Sequence, residues 1–370
     1  MKQVTEQFEI VNLQCEYRKN PLGVDSKYPR LSWIINSPQR GLSIGRVRLQ
    51  VASDPEKLTN EDIDLWDSGE VECTTNHLSY DGEELHSRQR CFWRIGISSG
   101  SDTTLQWSDP AYWEMGLLEA SDWQAKWISM KPALRRNTAP LFRKAFNLDR
   151  IPAKARLYIC GLGMHESFIN GQKLGDAVLD PAQTDYEKRC FYVIHDVGEL
   201  LEKGTNALAV TLGDGWYNQY RLSHRAWPDA PYGEPKFISQ LELEFVDGST
   251  EIIKSDTTWH CLPGPVTANN LYAGEDYDAR FEVPGWQLAN FNDTDWLNAD
   301  LAYPPGGSLQ VQHIPPMRRC REWPVLDVRN PQPEMLILDI GENISGWIRL
   351  SLKNMPAGGT IQLRFAEVLG

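Results

Sequence analysis

The chain has 370 residues, with 37 basic against 50 acidic side chains and a formal charge of −13. So acidic a surface argues against nucleic acid and membrane as partners, because no face is set up to attract phosphate backbones or anionic lipid. No run approaches the roughly 18 apolar residues of a membrane span, and at about 100–200 residues per domain the length predicts two or three domains.

The first residues, Met1-Lys2-Gln3-Val4-Thr5-Glu6-Gln7-Phe8-Glu9, place acids and amides where a signal peptide needs an apolar core, which predicts a cytoplasmic location. The seven cysteines (15, 73, 91, 160, 190, 261 and 320) show no C-x-x-C spacing, so they are expected as reduced thiols, without a disulfide framework or zinc site. Trp is frequent at 14 residues, and Trp and Tyr serve β-sandwich cores and sugar-stacking faces alike.

Period-two alternation begins at residues 46–51, where Val47, Leu49 and Val51 should face a core, and returns at 91–97. A seam is expected near 117–123. Beyond it, Asn170-Gly171 stands between two short runs at 168–174, the pair that tolerates the positive φ of a type I′ hairpin. Residues 196–204 could form a helical turn or two before Gly204. Alternation resumes at 206–212, and 245–249 is a second turn. The Pro and Gly density of 303–307 suits a linker. After it, strands are expected near 335–339, 347–352 and 360–368. Three strands make a marginal sheet, so this last segment should pack on its neighbours or begin a larger domain. The pattern is all-β.

The seven histidines lack metal spacing, and G-x-S-x-G and G-x-x-x-x-G-K-[ST] are absent. Gly161-Leu162-Gly163 and Gly213-Asp214-Gly215 read as turns. Glycoside hydrolysis needs two carboxylates across the sugar, and 50 acids do not single out a pair. Two segments stand out. Residues 213–236 form a long loop with Trp216, Tyr217, Tyr220, Trp227 and Tyr232 beside Asn218, His224, Asp229 and Glu234. Loops of this length are functional or disordered, and this one is too aromatic for disorder. It is open to a sugar-contacting role or to packing on another domain. Residues 269–280 crowd Asn269, Asn270, Glu275, Asp276, Asp278 and Arg280 together, which suits either calcium, without the spacing of a recognised calcium loop, or a structural Asp-Arg or Glu-Arg pair.

The order of these segments resembles the bacterial alpha-L-rhamnosidases of glycoside hydrolase family 78. Leu13-Gln14-Cys15-Glu16-Tyr17, Asn20-Pro21-Leu22-Gly23-Val24-Asp25, Pro29-Arg30-Leu31-Ser32-Trp33 and Leu65-Trp66-Asp67-Ser68-Gly69 look like the family's opening fibronectin type III-like sandwich. Residues 155–163, Thr184-Asp185-Tyr186, Gly213-Asp214-Gly215-Trp216-Tyr217-Asn218 and 274–280 are similar to its jelly-roll (galactose-binding-like) module. Residues 339–347 and 363–369 look like the start of a further β-domain that leads, in the family, into a helical toroid carrying the catalytic carboxylates. Departures are local: residues 40–48 lack the family's Gln-x-Ala-Tyr-Gln strand, Ala182-Gln183 stands for Gly-Trp, and Glu342 for Gln.

The resemblance implies an all-β chain with a fibronectin type III-like domain at 1–118, a jelly-roll domain at 119–304 and an incomplete third β-domain at 305–370. It implies an accessory portion of an inverting alpha-L-rhamnosidase, itself inactive, with no catalytic residue transferable to these positions. Candidate carbohydrate-binding residues are Trp216, Tyr217, Asn218, Trp227, Tyr232, Glu275, Asp278 and Arg280. Calcium is the one cofactor the resemblance admits. Expected partners are a rhamnose-containing glycan or glycoside and a catalytic helical domain. A stand-alone rhamnose-binding module and a structural adaptor on a catalytic chain are the alternatives.

Overall fold

The computed structural model describes residues 8–72, 75–99, 104–135, 138–219 and 232–367. They fall into two compact units, Met1–Gly175 with Leu179–Pro316, and Asp176–Val178 with Met317–Gly370.

The larger unit holds two β-sandwiches. In the first, a three-stranded sheet of Glu9–Cys15, Arg30–Asn36 and His77–Ser79 faces a sheet centred on Ile44–Ala52 and Arg90–Ser99, with Ala111–Glu114 beside the latter. Alternation explains the core: Val47, Leu49 and Val51 point inward as expected and meet Trp33, Trp93, Ile95 and Trp113. Burying each such side chain contributes about 1.5–3 kcal/mol, which is what holds two sheets with few helices together.

In the second sandwich the strands run 300–301, 128–129, Lys236–Glu244, Lys154–Leu162, Arg189–Asp196 and Ser308–Val311 across one sheet, with Thr250–Lys254 flanking Lys236–Glu244. The opposing sheet centres on Met164–Ile169, Gly204–Gly213 and Pro140–Leu148. Phe142, Phe237 and Trp259 fill the space between, with ring centroids 5.0 and 5.3 Å apart. The Asn170-Gly171 hairpin forms as read, with φ of 51° and 88° and Ile169 opposite Gln172. The stretch 196–204 yields a single 3-10 turn, Gly198–Leu200. Ser308–Val311 pairs in parallel with Arg189–Asp196, so chain beyond the Pro-Gly stretch at 303–307 belongs to this sheet.

The two sandwiches are clasped by polar groups. The Glu114 carboxylate, from the first, accepts from Arg156 Nε at 3.0 Å and Nη2 at 3.2 Å and pairs with Lys154 at 3.1 Å. Arg88 spans Asp122 and Glu242. Val311 N–H donates to Asp25 at 2.7 Å, and Leu117 N–H donates to the Tyr192 hydroxyl at 2.7 Å.

The smaller unit contains the hairpin Asp327–Gln332 with Met335–Asp339. The strands expected at 347–352 and 360–368 are absent among the described residues. Their alternation is present, but a strand needs a hydrogen-bonding neighbour, and among the described residues none is paired with them. Leu326, Val328, Leu336, Trp347 and Phe365 are exposed.

Candidate functional site

The two segments singled out in the sequence meet. Strand Gly204–Gly213 ends where Gly163 and Gly213 abut: a Cβ on Gly163, whose φ is +74°, would lie 1.9 Å from the Gly213 carbonyl oxygen. Both glycine motifs are therefore required for one close backbone approach. The next residue, Asp214, donates its N–H to Asn269 Oδ1 at 2.6 Å, which ties the loop's start to the hairpin Val266–Asn270 with Gly274–Tyr277.

Asp214 is fully buried. Its Oδ1 accepts from Asn218 Nδ2 at 2.8 Å and pairs with the guanidinium of Arg135, which also reaches Glu234 at 3.0 Å. Burial pushes the Asp214 carboxyl up to about 6, against the pull of Arg135 and Asn218. Its Oδ2 has no hydrogen-bond partner among the described residues.

The aromatic residues divide sharply. Tyr217, only 3% exposed, packs in a cluster with Tyr186 and Tyr232, its ring 5.2 Å from the first and stacked 5.9 Å from the second, with the Lys236 ammonium 5.5 Å from its centre. Asn218 is buried with it, so these two hold the loop's shape. Trp216 is half-buried and meets Tyr272 edge to face at 5.3 Å. Tyr272 is 54% exposed, and Tyr232 and Tyr277 are also open. The open aromatic edge is thus Trp216 with Tyr272, flanked by Asn269 and Asn270. Trp227, with Tyr220, His224 and Asp229, lies outside the described residues.

Glu275 stands exposed on the hairpin, its carboxyl raised from the ordinary value by desolvation. Asp278 accepts from its neighbour Arg280, at 2.9 and 3.1 Å from Nε, and that bond holds its carboxyl down at about 2. Asp278 and Arg280 thus pair with each other. No group of three or more His, Cys, Asp or Glu among the described residues could hold a metal. Asp278 is engaged in the Asp-Arg pair that is the structural reading of this segment. Sequence reasoning missed Arg135, which lies outside both segments and reaches Asp214 only through the fold.

Residues 10–119 match the family described as Rha78A-like, N-terminal immunoglobulin domain, residues 150–321 the Alpha-L-rhamnosidase N-terminal domain, and residues 329–370 the Bacterial alpha-L-rhamnosidase concanavalin-like domain. Among curated relatives, an alpha-L-rhamnosidase of Formosa agariphila is 35% identical over 95% of this chain and 40% of its own length. One of Alteromonas is 32% identical over 95% and 39%. The structure of alpha-L-rhamnosidase from Dictyoglumus thermophilum superposes with a TM-score of 0.84 at 36% identity, covering 92% of this chain and 39% of that one. That of native alpha-L-rhamnosidase from Aspergillus terreus gives 0.82 at 30% identity, covering 91% and 39%. The chain spans about two fifths of the length of the curated relatives it matches.

Proposed function

The chain belongs to the bacterial alpha-L-rhamnosidases, as an N-terminal portion of that architecture, and from this premise we propose that it serves as the accessory β-sandwich part of an inverting enzyme that removes terminal alpha-L-rhamnose from glycosides. Its task is to present a sugar-contacting edge, and the observation that carries this reading is the pairing of Trp216 with Tyr272 beside Asn269 and Asn270. An exposed ring offers a sugar its apolar contact while side-chain amides serve hydroxyl groups.

Hydrolysis itself is not assigned to these residues. Inversion needs one carboxylic acid and one carboxylate about 6.5–9.5 Å apart with a water between them. Around the edge, Asp214 and Glu234 are both paired with Arg135, and Asp278 with Arg280. Glu275 and Asp276 have no such cation among the described residues.

Calorimetric titration with methyl alpha-L-rhamnoside tests the edge, and an aryl alpha-L-rhamnoside tests turnover. We expect a binding component that Trp216→Ala removes, and no turnover by the chain alone. Reproducible hydrolysis by the chain, or binding indifferent to both Trp216→Ala and Tyr272→Ala, would overturn the reading. A second reading, an adaptor that packs on a catalytic helical domain, is favoured by the exposed Val328, Leu336 and Trp347. It predicts co-purification with such a domain and no sugar binding.

A further inference from the structure

On the outer face of the seven-stranded sheet, Lys154–Leu162, Lys236–Glu244 and Thr250–Lys254 run side by side. Their register sets Arg156 opposite Glu242 and Glu242 opposite Ile252, and likewise Lys154, Glu244 and Thr250 in the next row. Cross-strand partners stand on the same face, so the two rows form a floor that runs from cation to carboxylate to uncharged side chain. Arg88 of the first sandwich closes one side, with Nε 2.6 Å and Nη2 2.7 Å from the Glu242 carboxylate. The result is a groove of about 430 Å³ between the sandwiches. That lies within the roughly 300–1,000 Å³ of small-molecule sites, which occur preferentially where domains meet. Arg156 is 4% exposed and Tyr158 1%, so the floor is built into the fold.

The lining chooses the chemistry of the occupant. It carries three cations, Arg88, Lys154 and Arg156, and four carboxylates, Asp122, Glu242, Glu244 and Glu251. The cations are already engaged, Arg88 by Asp122 and Glu242, and Arg156 and Lys154 by Glu114. An anion would therefore meet surplus carboxylate, and a cation would meet three fixed positive groups. A neutral polyol suffers neither penalty, because each hydroxyl both donates to carboxylate and accepts from ammonium or guanidinium.

We propose that this groove binds a neutral pyranoside unit of a glycan, with hydroxyls bridging Glu244 and Lys154 and the ring's apolar edge against the half-buried Ile252. It is a second sugar site, and it does not depend on the aromatic edge being one.

The Ile252 methyl, observed by NMR in the full chain with labelled isoleucine, reports occupancy directly. Titration with methyl alpha-L-rhamnoside to about 10 mM, roughly tenfold above a 1 mM Kd, should shift that signal with a saturating curve. The shift should survive Trp216→Ala, vanish in Thr250→Trp, which fills the groove from an exposed position, and weaken at least tenfold in Glu244→Ala. D-galacturonate should leave the signal still. An unmoved methyl, a shift that persists in Thr250→Trp, or one lost in Trp216→Ala would each overturn the site. An equal response to galacturonate would overturn the choice of a neutral ligand. Loss of binding at the edge alone, with Ile252 still responding, would sink the functional reading and leave this one standing.

Discussion

Glu114→Ala should loosen the joint between the sandwiches more than any surface change. The carboxylate is 1% exposed and is held by two Arg156 nitrogens and by Lys154. Its removal leaves the Arg156 guanidinium buried with only Asp196 and the Ala155 carbonyl as partners. Breaking a buried pair from one side costs about 3–5 kcal/mol, and the remaining partners place the expected loss near 3 kcal/mol. For a unit of this size that is a melting shift of about 5 °C. Replacing both members, Glu114→Met with Arg156→Met, removes the desolvation penalty together with the attraction and should cost less than the single change. Scanning calorimetry of wild type, single and double variants measures this. A Glu114→Ala loss below about 1 kcal/mol, or a double variant less stable than the single one, would refute the reasoning.

Asp214 makes stability depend on pH with an unusual sign. Its folded carboxyl is raised from 3.8 to about 6, so its contribution is fully present below pH 3.8 and is lost as pH rises through 6; that contribution is roughly 3 kcal/mol. Asp214→Asn should flatten the urea midpoint between pH 4 and 7 relative to wild type, and an unchanged difference across that window would count against the buried, unpaired Oδ2. Gly163→Ala should cost more than about 3 kcal/mol in chemical denaturation, because its Cβ would collide with the Gly213 carbonyl, whereas Gly248→Ala, in open space at φ +79°, should cost about 1 kcal/mol. Tyr217→Ala should destabilise by about 3–5 kcal/mol as a large buried ring is lost, while Tyr272→Ala should leave the melting temperature within roughly 2 °C and weaken only methyl rhamnoside binding. A reversed pattern would mean that Tyr272 is structural.

Local chemistry was legible in the sequence wherever it decides structure locally. Alternation at 46–51 yields a buried Val47, Leu49 and Val51, and Asn170-Gly171 takes the two positive φ angles that its residue types allow. Composition also flagged the two segments that meet at Asp214 and Asn269. It could not say which aromatic stays open, since Tyr217 and Tyr272 are the same residue type. Tyr186 and Lys236 cover the first, whereas the second stands at a hairpin turn with Trp216 meeting its ring edge to face. Arg135 sits 79 positions from Asp214 and carries no motif. Strand formation at 347–352 depends on a neighbour that no local pattern can supply.

The long-range cations share one property that bears on function. Arg88, Arg135, Arg143 and Arg156 each join segments distant in sequence through carboxylates, namely Asp122 and Glu242, Asp214 and Glu234, Asp293, and Glu114. Buried pairs of this kind add little stability over well-packed apolar residues, so stability alone does not account for them. The planar guanidinium fork, however, accepts a carboxylate in few orientations, whereas apolar contacts slide. Arg88 and Arg156 thus orient one sandwich on the other, and Arg135 orients the turn that carries Trp216. The proposed sugar-holding role needs orientation more than it needs extra stability. The Glu114→Met, Arg156→Met variant separates the two: it should melt near wild type yet show broadened inter-sandwich distances between spin labels, and an unchanged distance distribution would leave these pairs without an orienting role.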